Sequence, residues 1–220
     1  MENHQPTLDE FLNHTKNHRI KILHDDGLYR HLRFQIPDTM NRYFDIVTFP
    51  GHLCYVGDMG AFTFTRIQDM FEFFRSRGGE KGGKQLYINT GYWAEKLEAV
   101  DKTDGYKEFD KDSFLETINE YRVRWIKDGA RNGSLSKEER RELWEAVDYE
   151  VLHCLEDGEF VSYDAASSFS YKIGLDTFEF TDLWEHNFKR YSYRFVWCCY
   201  AIVWGIQEYD QAKKHVNGET

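Results

Sequence analysis

The sequence predicts an α+β fold: an N-terminal antiparallel β-meander of about five strands, covered by helices, and a mostly helical C-terminal half. Between residues 19 and 66, apolar and polar side chains alternate in short runs separated by turn residues, which is typical of antiparallel strands. Beyond residue 66 the apolar residues recur at helical spacing instead. Aromatic residues make up 17% of the 220 residues, and their large rings can bury a substantial core.

A short N-terminal helix is expected over residues 7–18. Thr7 is followed three residues later by Glu10, which is the spacing of a capping box. Leu8 and Phe11 fall on one face of such a helix. The segment therefore carries both a start signal and an apolar stripe that can pack on the protein.

The β-meander is predicted from five segments and the turns between them. Asp25-Asp26-Gly27 separates the first two segments, and its glycine accepts the positive φ that a tight hairpin requires. In the second segment Leu32, Phe34 and Ile36 alternate with polar residues, which predicts one buried and one polar face. The predicted strands cover residues 20–24, 28–36, 42–48, 52–56 and 61–66.

Helical spacing dominates the rest of the chain. Residues 67–75 form an apolar stripe that can cover the sheet, and Ser136 with Glu139 repeats the capping-box spacing. Phe195–Ile206 is apolar on every side, so this helix either lies at the centre of the core or packs on a partner. Beyond residue 75 we expect helices over 91–100, 111–127, 136–155, 163–171 and 187–213, and a strand over 176–180.

A single domain over residues 1–220 is expected from the length of the chain. The low-complexity stretch Gly78–Lys84 is the best linker candidate, so the alternative is a β-meander part, 1–77, and a helical part, 85–220. Neither Ser nor Thr follows Lys84, and no parallel strand is predicted before this stretch. A phosphate-binding loop is therefore not expected there.

The charge of the chain limits the classes of partner. Asp and Glu number 38 against 28 Lys and Arg, which gives a net charge of −10. An acidic surface repels phosphate backbones, so nucleic-acid binding by the whole protein is disfavoured. The same surface suits a basic protein partner or nucleic-acid mimicry, and it is also what ordinary solubility produces.

The compartment is expected to be the cytoplasm. The N-terminal sequence MENHQPTLDEF has neither a basic nor an apolar signal-peptide region. None of the four cysteines forms a C-x-x-C pair, which argues against a disulfide framework and a zinc knuckle. The longest apolar run, Phe195–Trp204, is about half a bilayer span, so no membrane partner is expected.

Several groupings of His and Cys residues are candidates for metal binding or nucleophilic catalysis. His14 and His18 have the i,i+4 spacing of a metal site, and His24 and His31 can face each other across the first hairpin. A second grouping, His52-x-Cys54 with Asp58, places a thiol near an imidazole, but no oxyanion-hole element accompanies it. The vicinal Cys198-Cys199 are expected to be buried and inert. No catalytic residue, metal site or cofactor is predicted.

The candidate binding site lies on the polar face of the meander. Residues 14–42 contain six Lys or Arg and three Asp, a local excess opposed to the charge of the whole chain. Arg33 could bind a phosphate or carboxylate with both arms of its guanidinium, or it could pair with an acidic residue across the sheet. Tyr55 or Tyr43 could stack on a base at this face. The predicted ligand- or partner-binding residues are His31, Arg33, Tyr55 and Asp58.

Four segments carry a resemblance to a known family. They read HLRF, FDIVTFPGHLCYVGDMGAFTFTRIQDMFEFFR, NTGYWAEKLEAVD and YSYRFVWCCYAIVWGIQEYD. Over residues 19–213 the chain resembles a family of accessory proteins of tailed bacteriophages and prophages. The resemblance implies expression in the bacterial cytoplasm during infection, outside the structural core of the virion, and it implies no mechanism.

Two functions are consistent with these observations. The first is a non-catalytic phage accessory protein that binds and modulates a host or phage protein, for example to counter a host defence system. The alternative is a protein that binds a nucleotide or another anionic small ligand, as a sponge or an enzyme, on the basic polar face of the meander. The apolar C-terminal helix could also form a homo-oligomer.

Overall fold

The chain forms two compact units in the computed structural model, which describes residues 4–39, 42–75, 86–102 and 105–216. Unit 1 contains residues 1–108 and 191–220, and unit 2 contains residues 109–190. Unit 2 is thus inserted between the sheet of unit 1 and its last helix. These boundaries differ from the alternative division at 77 and 85, and the stretch Gly78–Lys84 lies outside the described residues. The prediction of one domain over 1–220 stays a prediction.

An antiparallel six-stranded meander forms the sheet of unit 1, and the helical C-terminal half completes an α+β fold, which confirms the predicted class. Each strand pairs with the next in the chain. Asp25 and Asp26, which were predicted in the turn, belong to the first strand and pair with Arg30 and Tyr29, and Gly27 takes a positive φ of 60° in the turn. The strands are β1 Arg19–Asp26, β2 Tyr29–Gln35, β3 Phe44–Phe49, β4 His52–Gly57, β5 Gly60–Thr65 and β6 Leu97–Val100.

The sixth strand corrects the helix predicted over residues 91–100. A helix is present only over Thr90–Ala94 (α3), after which Leu97–Val100 pairs with β5, for example Val100 with Phe62. Pairing along the free edge of β5 satisfies backbone groups that would otherwise face solvent. This long-range pairing prevails over the local helical spacing, because propensity is a weak preference that tertiary contacts override.

Besides α3, unit 1 contains three helices: α1 Leu8–Thr15, α2 Met70–Phe74 and α7 Tyr193–Val216. The capping box at the start of α1 is confirmed, since Thr7 and Glu10 make both of its hydrogen bonds. The predicted helix over 187–213 starts later, because residues 189–191 form a short strand.

The inner face of the sheet packs against α7. We call inner the face whose alternate residues are buried, such as Phe34, Phe44 and Tyr55, and outer the opposite face. Aromatic rings of α7 contact inner-face rings at 5–6 Å, and Gly205 of α7 lies so close that an added Cβ would be 2.7 Å from Ile46 Cδ1. The all-round apolarity of α7 is therefore that of a central core helix.

Unit 2 is built from three helices and a hairpin around its own core. The Ser136–Glu139 capping box is confirmed, although the helix it opens ends at Glu150 and a 3-10 helix, Leu152–Asp157, follows. The predicted helix over 163–171 lies instead at Glu159–Ser168, and the strand predicted over 176–180 pairs with a second strand in a hairpin. The elements are α4 Lys111–Asn132, α5 Lys137–Glu150, α6 Glu159–Ser168, β8 Ser170–Ile173 and β9 Asp176–Glu179.

Two further short strands, Lys107–Phe109 (β7) and Lys189–Tyr191 (β10), pair with each other. No helix of the described ranges is both long and apolar enough to cross a membrane.

The four cysteines are free thiols, and burial raises the pKa of Cys198 and Cys199 well above the usual value. The two vicinal thiols are therefore protonated and enclosed.

Candidate functional site

A cavity of about 460 Å³ opens in unit 1 at the end of α1. Its lining comes from α1 and the residues after it, from β3 and β4, from the turn after β4, and from α7. We call it the α1 cavity and define it by six lining residues. These are His18, Phe44, Tyr55 and Trp197, which are buried, and Lys16 and Arg42, which are exposed.

His18 brings a fixed hydrogen-bond acceptor to this cavity. Its ring Nε2 lies 2.8 Å from the Arg42 carbonyl oxygen, which can only accept, so Nε2 carries the proton and donates. Burial lowers the pKa of His18, although the carbonyls of Arg42 and Thr15 and the charge of Asp58 act in the opposite direction. In the neutral ring Nδ1 is an acceptor, and it has no hydrogen-bond partner among the described residues.

Arg42 holds the His18 ring through an uncommon backbone conformation. Its φ of 56° lies in the left-handed region, which costs a non-glycine residue about 1–2 kcal/mol. Such strain persists where surrounding contacts fix it, and it is concentrated at functional sites. Here it presents the Arg42 carbonyl to His18 and leaves the Arg42 side chain exposed beside the cavity.

Tyr55 lies on the inner face of the sheet, which corrects its predicted position on the polar face. Strand β4 alternates, so Tyr55 and Leu53 are buried together while Cys54 between them points to the outer face. The side chain is 1% exposed, and its hydroxyl has no hydrogen-bond partner among the described residues. Burial raises the pKa of Tyr55 well above 10, with Asp58 acting in the same direction, so the hydroxyl stays protonated.

Trp197 contributes a fixed donor from α7. Its indole ring packs among the rings of Phe11, Phe44 and Tyr55, with centroid distances of 5.1, 5.6 and 6.4 Å. The Nε1–H group can only donate, and buried tryptophans normally find an acceptor for it. In the described part of the chain this group is buried without one.

The three unpartnered groups are concentrated at one place. Five buried side-chain polar atoms lack a hydrogen-bond partner within the described ranges, and three belong to residues that line the α1 cavity. The other two are the Nε atoms of Arg30 and Arg122. Both Nη atoms of Arg30 bind Asp69, and Nη1 of Arg122 binds Asp148. Buried polar groups are nearly always paired, so this concentration makes the cavity a candidate binding site.

The charged residues of the cavity lining are all exposed and mostly basic. They are Lys16, Arg42 and Asp58. The Lys16 ammonium donates to the amide oxygen of Asn13 at 2.9 Å, and neither Lys16 nor Arg42 forms an ion pair with a carboxylate of the described residues. The mouth of the cavity is therefore locally cationic on a chain with a net charge of −10.

The other two predicted site residues, His31 and Arg33, lie on the outer face and are bound to Asp45. Two guanidinium nitrogens of Arg33 donate to Asp45 at 2.8 Å each, and His31 Nε2 lies 3.1 Å from the same carboxylate. Burial alone would raise the pKa of Asp45, but the hydrogen bonds from Arg33 and His31 outweigh it and lower the pKa. Cross-strand pairing, the alternative left open by the sequence, accounts for Arg33. A binding role for His31 and Arg33 stays a prediction.

The structure thus separates the predicted residues into two groups. Tyr55 and Asp58 line the α1 cavity, with Asp58 in the turn after β4, and His31 and Arg33 lie elsewhere. Sequence reasoning missed His18 as a cavity residue, together with Trp197 and Arg42. The spacing of these residues carries no signal for the cavity, because they come from distant parts of the chain.

The other His and Cys groupings have structural partners. His24 and His31 are opposite each other across the hairpin, as expected, and His52 pairs with Glu98 at 3.0 Å rather than with Cys54. Cys54 accepts a hydrogen bond from the Thr63 hydroxyl at 3.5 Å. In the described ranges no three His, Cys, Asp or Glu side chains converge as a metal site would require.

A comparison of the chain with known protein families, with curated proteins and with solved structures finds no match. The geometry of the α1 cavity is therefore the main support for a function.

Proposed function

We propose that the protein binds a small organic ligand in the α1 cavity. The observation that carries this proposal is that three residues lining the cavity, His18, Tyr55 and Trp197, each bury a polar atom that has no partner among the described residues. A buried donor or acceptor left unpaired costs about 1–3 kcal/mol. A ligand that pairs with all three atoms would recover that free energy. The volume of about 460 Å³ lies within the usual range of ligand pockets.

Binding without catalysis suits the chemistry of this cavity. The proton-bearing nitrogen of His18 is held by the Arg42 carbonyl, and the raised pKa of Tyr55 keeps its hydroxyl protonated. Its described lining contains neither Cys, Ser nor Thr, so the usual nucleophiles are missing from that lining. In the setting that the phage resemblance suggests, the protein would sequester a small molecule in the bacterial cytoplasm, for example one used in host defence.

The proposal is tested by asking what the purified protein retains. The protein is incubated with a small-molecule extract of bacterial cells, washed and denatured, and the released compounds are identified by mass spectrometry. We expect one retained compound, which also raises the melting temperature because it binds only the folded state. Tyr55→Phe and His18→Gln should each retain at least about tenfold less, since each removes one polar partner of the ligand.

Arg33→Gln is the matched control, because it changes a polar residue of the same sheet on the outer face. It should retain as much compound as the unaltered protein. If the protein retains nothing, or if Tyr55→Phe and His18→Gln retain the normal amount, ligand binding in the α1 cavity is wrong.

Binding to a host or phage protein is the second candidate function. Its first support, the apolar C-terminal helix, is weakened because α7 is buried in the core of unit 1. A different observation favours it: unit 2 exposes Tyr149, Phe160 and Trp184 at 79%, 82% and 71%. Exposed aromatic side chains serve as anchors at protein interfaces.

This second function is tested by affinity capture from infected-cell lysate. We expect a stoichiometric partner, and Phe160→Ser with Trp184→Ser should abolish its recovery while ligand retention is unchanged. Recovery of the same partner by the double variant would contradict a role for these aromatic residues. Light scattering on the purified protein measures whether the partner is a second copy of this chain.

A further inference from the structure

We call the buried end of the α1 cavity the part that is lined by the buried residues His18, Tyr55 and Trp197. These three side chains have a defined hydrogen-bond pattern. Trp197 Nε1–H can only donate, and His18 Nδ1 can only accept because Nε2 already donates to the Arg42 carbonyl. The Tyr55 hydroxyl can do either. A complementary ligand therefore presents at least one acceptor and one donor within the space of a single side-chain cluster. Aliphatic and hydrocarbon ligands do not meet this requirement.

The walls at this end are aromatic and carry no formal charge. Phe44, Tyr55 and Trp197 are buried lining residues, and Tyr43 is half-buried beside them. Burial lowers the pKa of His18, which keeps its ring neutral at pH 7. Flat aromatic walls favour a planar ring, because stacking and edge contacts with a ring stabilise it beyond simple burial. A ligand part that fits the buried end is therefore a neutral planar ring with polar edges.

The mouth has the opposite character. Lys16 and Arg42 are exposed there, and neither has a carboxylate partner among the described residues. Arginine is well suited to bind phosphate with two parallel hydrogen bonds, and lysine binds it as a point charge. Asp58 at the same mouth can accept hydrogen bonds from hydroxyl groups. An anionic group joined to the ring through a hydroxylated part fits these residues.

Resting on the proposed binding of a small ligand, we infer that the ligand is a nucleotide, with its base against Tyr55, His18 and Trp197 and its phosphate beside Lys16 and Arg42. Nucleobases are neutral planar rings that carry donors and acceptors on one edge, which is the pattern of the buried end. Sugar hydroxyls and a phosphate supply the groups that suit the mouth. The inference places the nucleotide inside the cavity, on the inner side of the sheet, and not on the outer face with Arg33.

The inference is tested by calorimetric titration with the four ribonucleoside 5′-monophosphates and the four corresponding nucleosides. We expect saturable binding of one monophosphate, and at least tenfold weaker binding of its nucleoside, because the nucleoside lacks the group that Lys16 and Arg42 hold. Binding of the monophosphate should also weaken as salt is added, since exposed charges are screened.

Charge variants locate the phosphate. The double variant Lys16→Gln and Arg42→Gln should bind the monophosphate no more tightly than the nucleoside, while its affinity for the nucleoside is unchanged. Lys21→Gln is the matched control, because Lys21 is an exposed lysine of β1 outside the cavity lining. It should bind the monophosphate normally. Circular dichroism checks that each variant is folded.

The outcomes separate this inference from the proposed function. If the protein retains a compound from the extract but binds none of the monophosphates or nucleosides, the nucleotide assignment is wrong and ligand binding stands. If the nucleoside binds as tightly as its monophosphate, the phosphate assignment to Lys16 and Arg42 is wrong. If neither the extract nor the titrations give any binding, both are wrong.

Discussion

The two faces of the six-stranded sheet differ in the hydrogen bonding of their polar side chains. On the outer face, Asp45 binds Arg33 through two hydrogen bonds and His31 through a third. On the inner side, Tyr55, His18 and Trp197 bury polar atoms that have no partner in the part of the chain that the structure describes. Paired polar groups stabilise the folded chain, whereas unpaired ones destabilise it. The contrast supports the proposal that the outer set serves the fold and the inner set serves a ligand.

The largest change in stability is expected from Gly205→Leu. This variant tests whether the inner face has free volume throughout or only at the α1 cavity. A Cβ at this position would be 2.7 Å from Ile46 Cδ1 and 3.0 Å from the Phe34 ring. Overpacking a tight core costs about 1–3 kcal/mol and occasionally more, so we expect a loss of about 3 kcal/mol in urea unfolding. Gln211→Leu, at an exposed position of α7, should change the stability by less than about 0.5 kcal/mol. A small effect of Gly205→Leu would mean that the inner face has free volume beyond the cavity.

Asp45→Asn is expected to have the next largest effect, because it removes the carboxylate that holds the outer set together. Hydrogen bonds to charged groups contribute about 1.5–3 kcal/mol, and the Asp45 side chain is 12% exposed, so we expect a loss of about 2 kcal/mol at pH 7. The pKa of Asp45 is lowered in the folded protein. Its contribution is therefore present above its unfolded pKa of about 3.9 and disappears as the pH falls through the lower folded value.

The control for Asp45→Asn is Asp26→Asn, at an exposed position at the end of β1. It should leave the urea midpoint nearly unchanged. Ligand retention should be normal in both variants. Loss of ligand in Asp45→Asn would break the assignment of the outer set to the fold.

Tyr55→Phe should have the opposite sign. It removes a buried hydroxyl that has no partner among the described residues, so the unliganded protein should become more stable by about 1 kcal/mol. Ligand binding should weaken at the same time. Tyr29→Phe, which removes an exposed hydroxyl of β2, should change neither quantity. A loss of stability in Tyr55→Phe would show that the hydroxyl has a structural partner, and the contrast between the two faces would fail.

The smallest effect concerns the dependence of stability on pH. Burial lowers the pKa of His18, so the unfolded chain binds more protons than the folded protein between the folded pKa and the unfolded value of 6.5. The stability of the unaltered protein should therefore decrease as the pH falls below about 6.5. His18→Gln should reduce this decrease by a fraction of 1 kcal/mol. His14→Gln, at an exposed position at the end of α1, is the matched control.

Local signals predicted the elements well. The Thr7–Glu10 and Ser136–Glu139 capping boxes and the hairpin turn at Gly27 act over a few residues, and the structure contains all three, although Asp25 and Asp26 belong to β1. The strand β6 was missed because its pairing with β5 is a long-range interaction that no local pattern encodes.

The candidate site was harder to predict for the same reason. Tyr55 was predicted on the polar face, although its alternation with Cys54 along β4 agrees with the buried face that the structure shows, and which groups meet it there depends on the packing of α1 and α7. The spacing of His18 from His14 indicated only a metal site, and the sequence around Trp197 indicated only an apolar helix. The pairing of Arg33 with Asp45, in contrast, follows from the register of adjacent strands.

The insertion of unit 2 also has a consequence for biosynthesis. The last strand of the sheet ends at Val100, and the helix that covers the sheet begins at Tyr193. At roughly 5–20 residues per second, the ribosome needs about 5–20 seconds to translate the segment between them. During that interval the aromatic inner face of the nascent sheet lacks its cover and is open to chaperones. Trp197 is translated after unit 2, so a nascent chain that has not reached α7 lacks part of the proposed site, and ligand-dependent protection from proteolysis would report that α7 has been added.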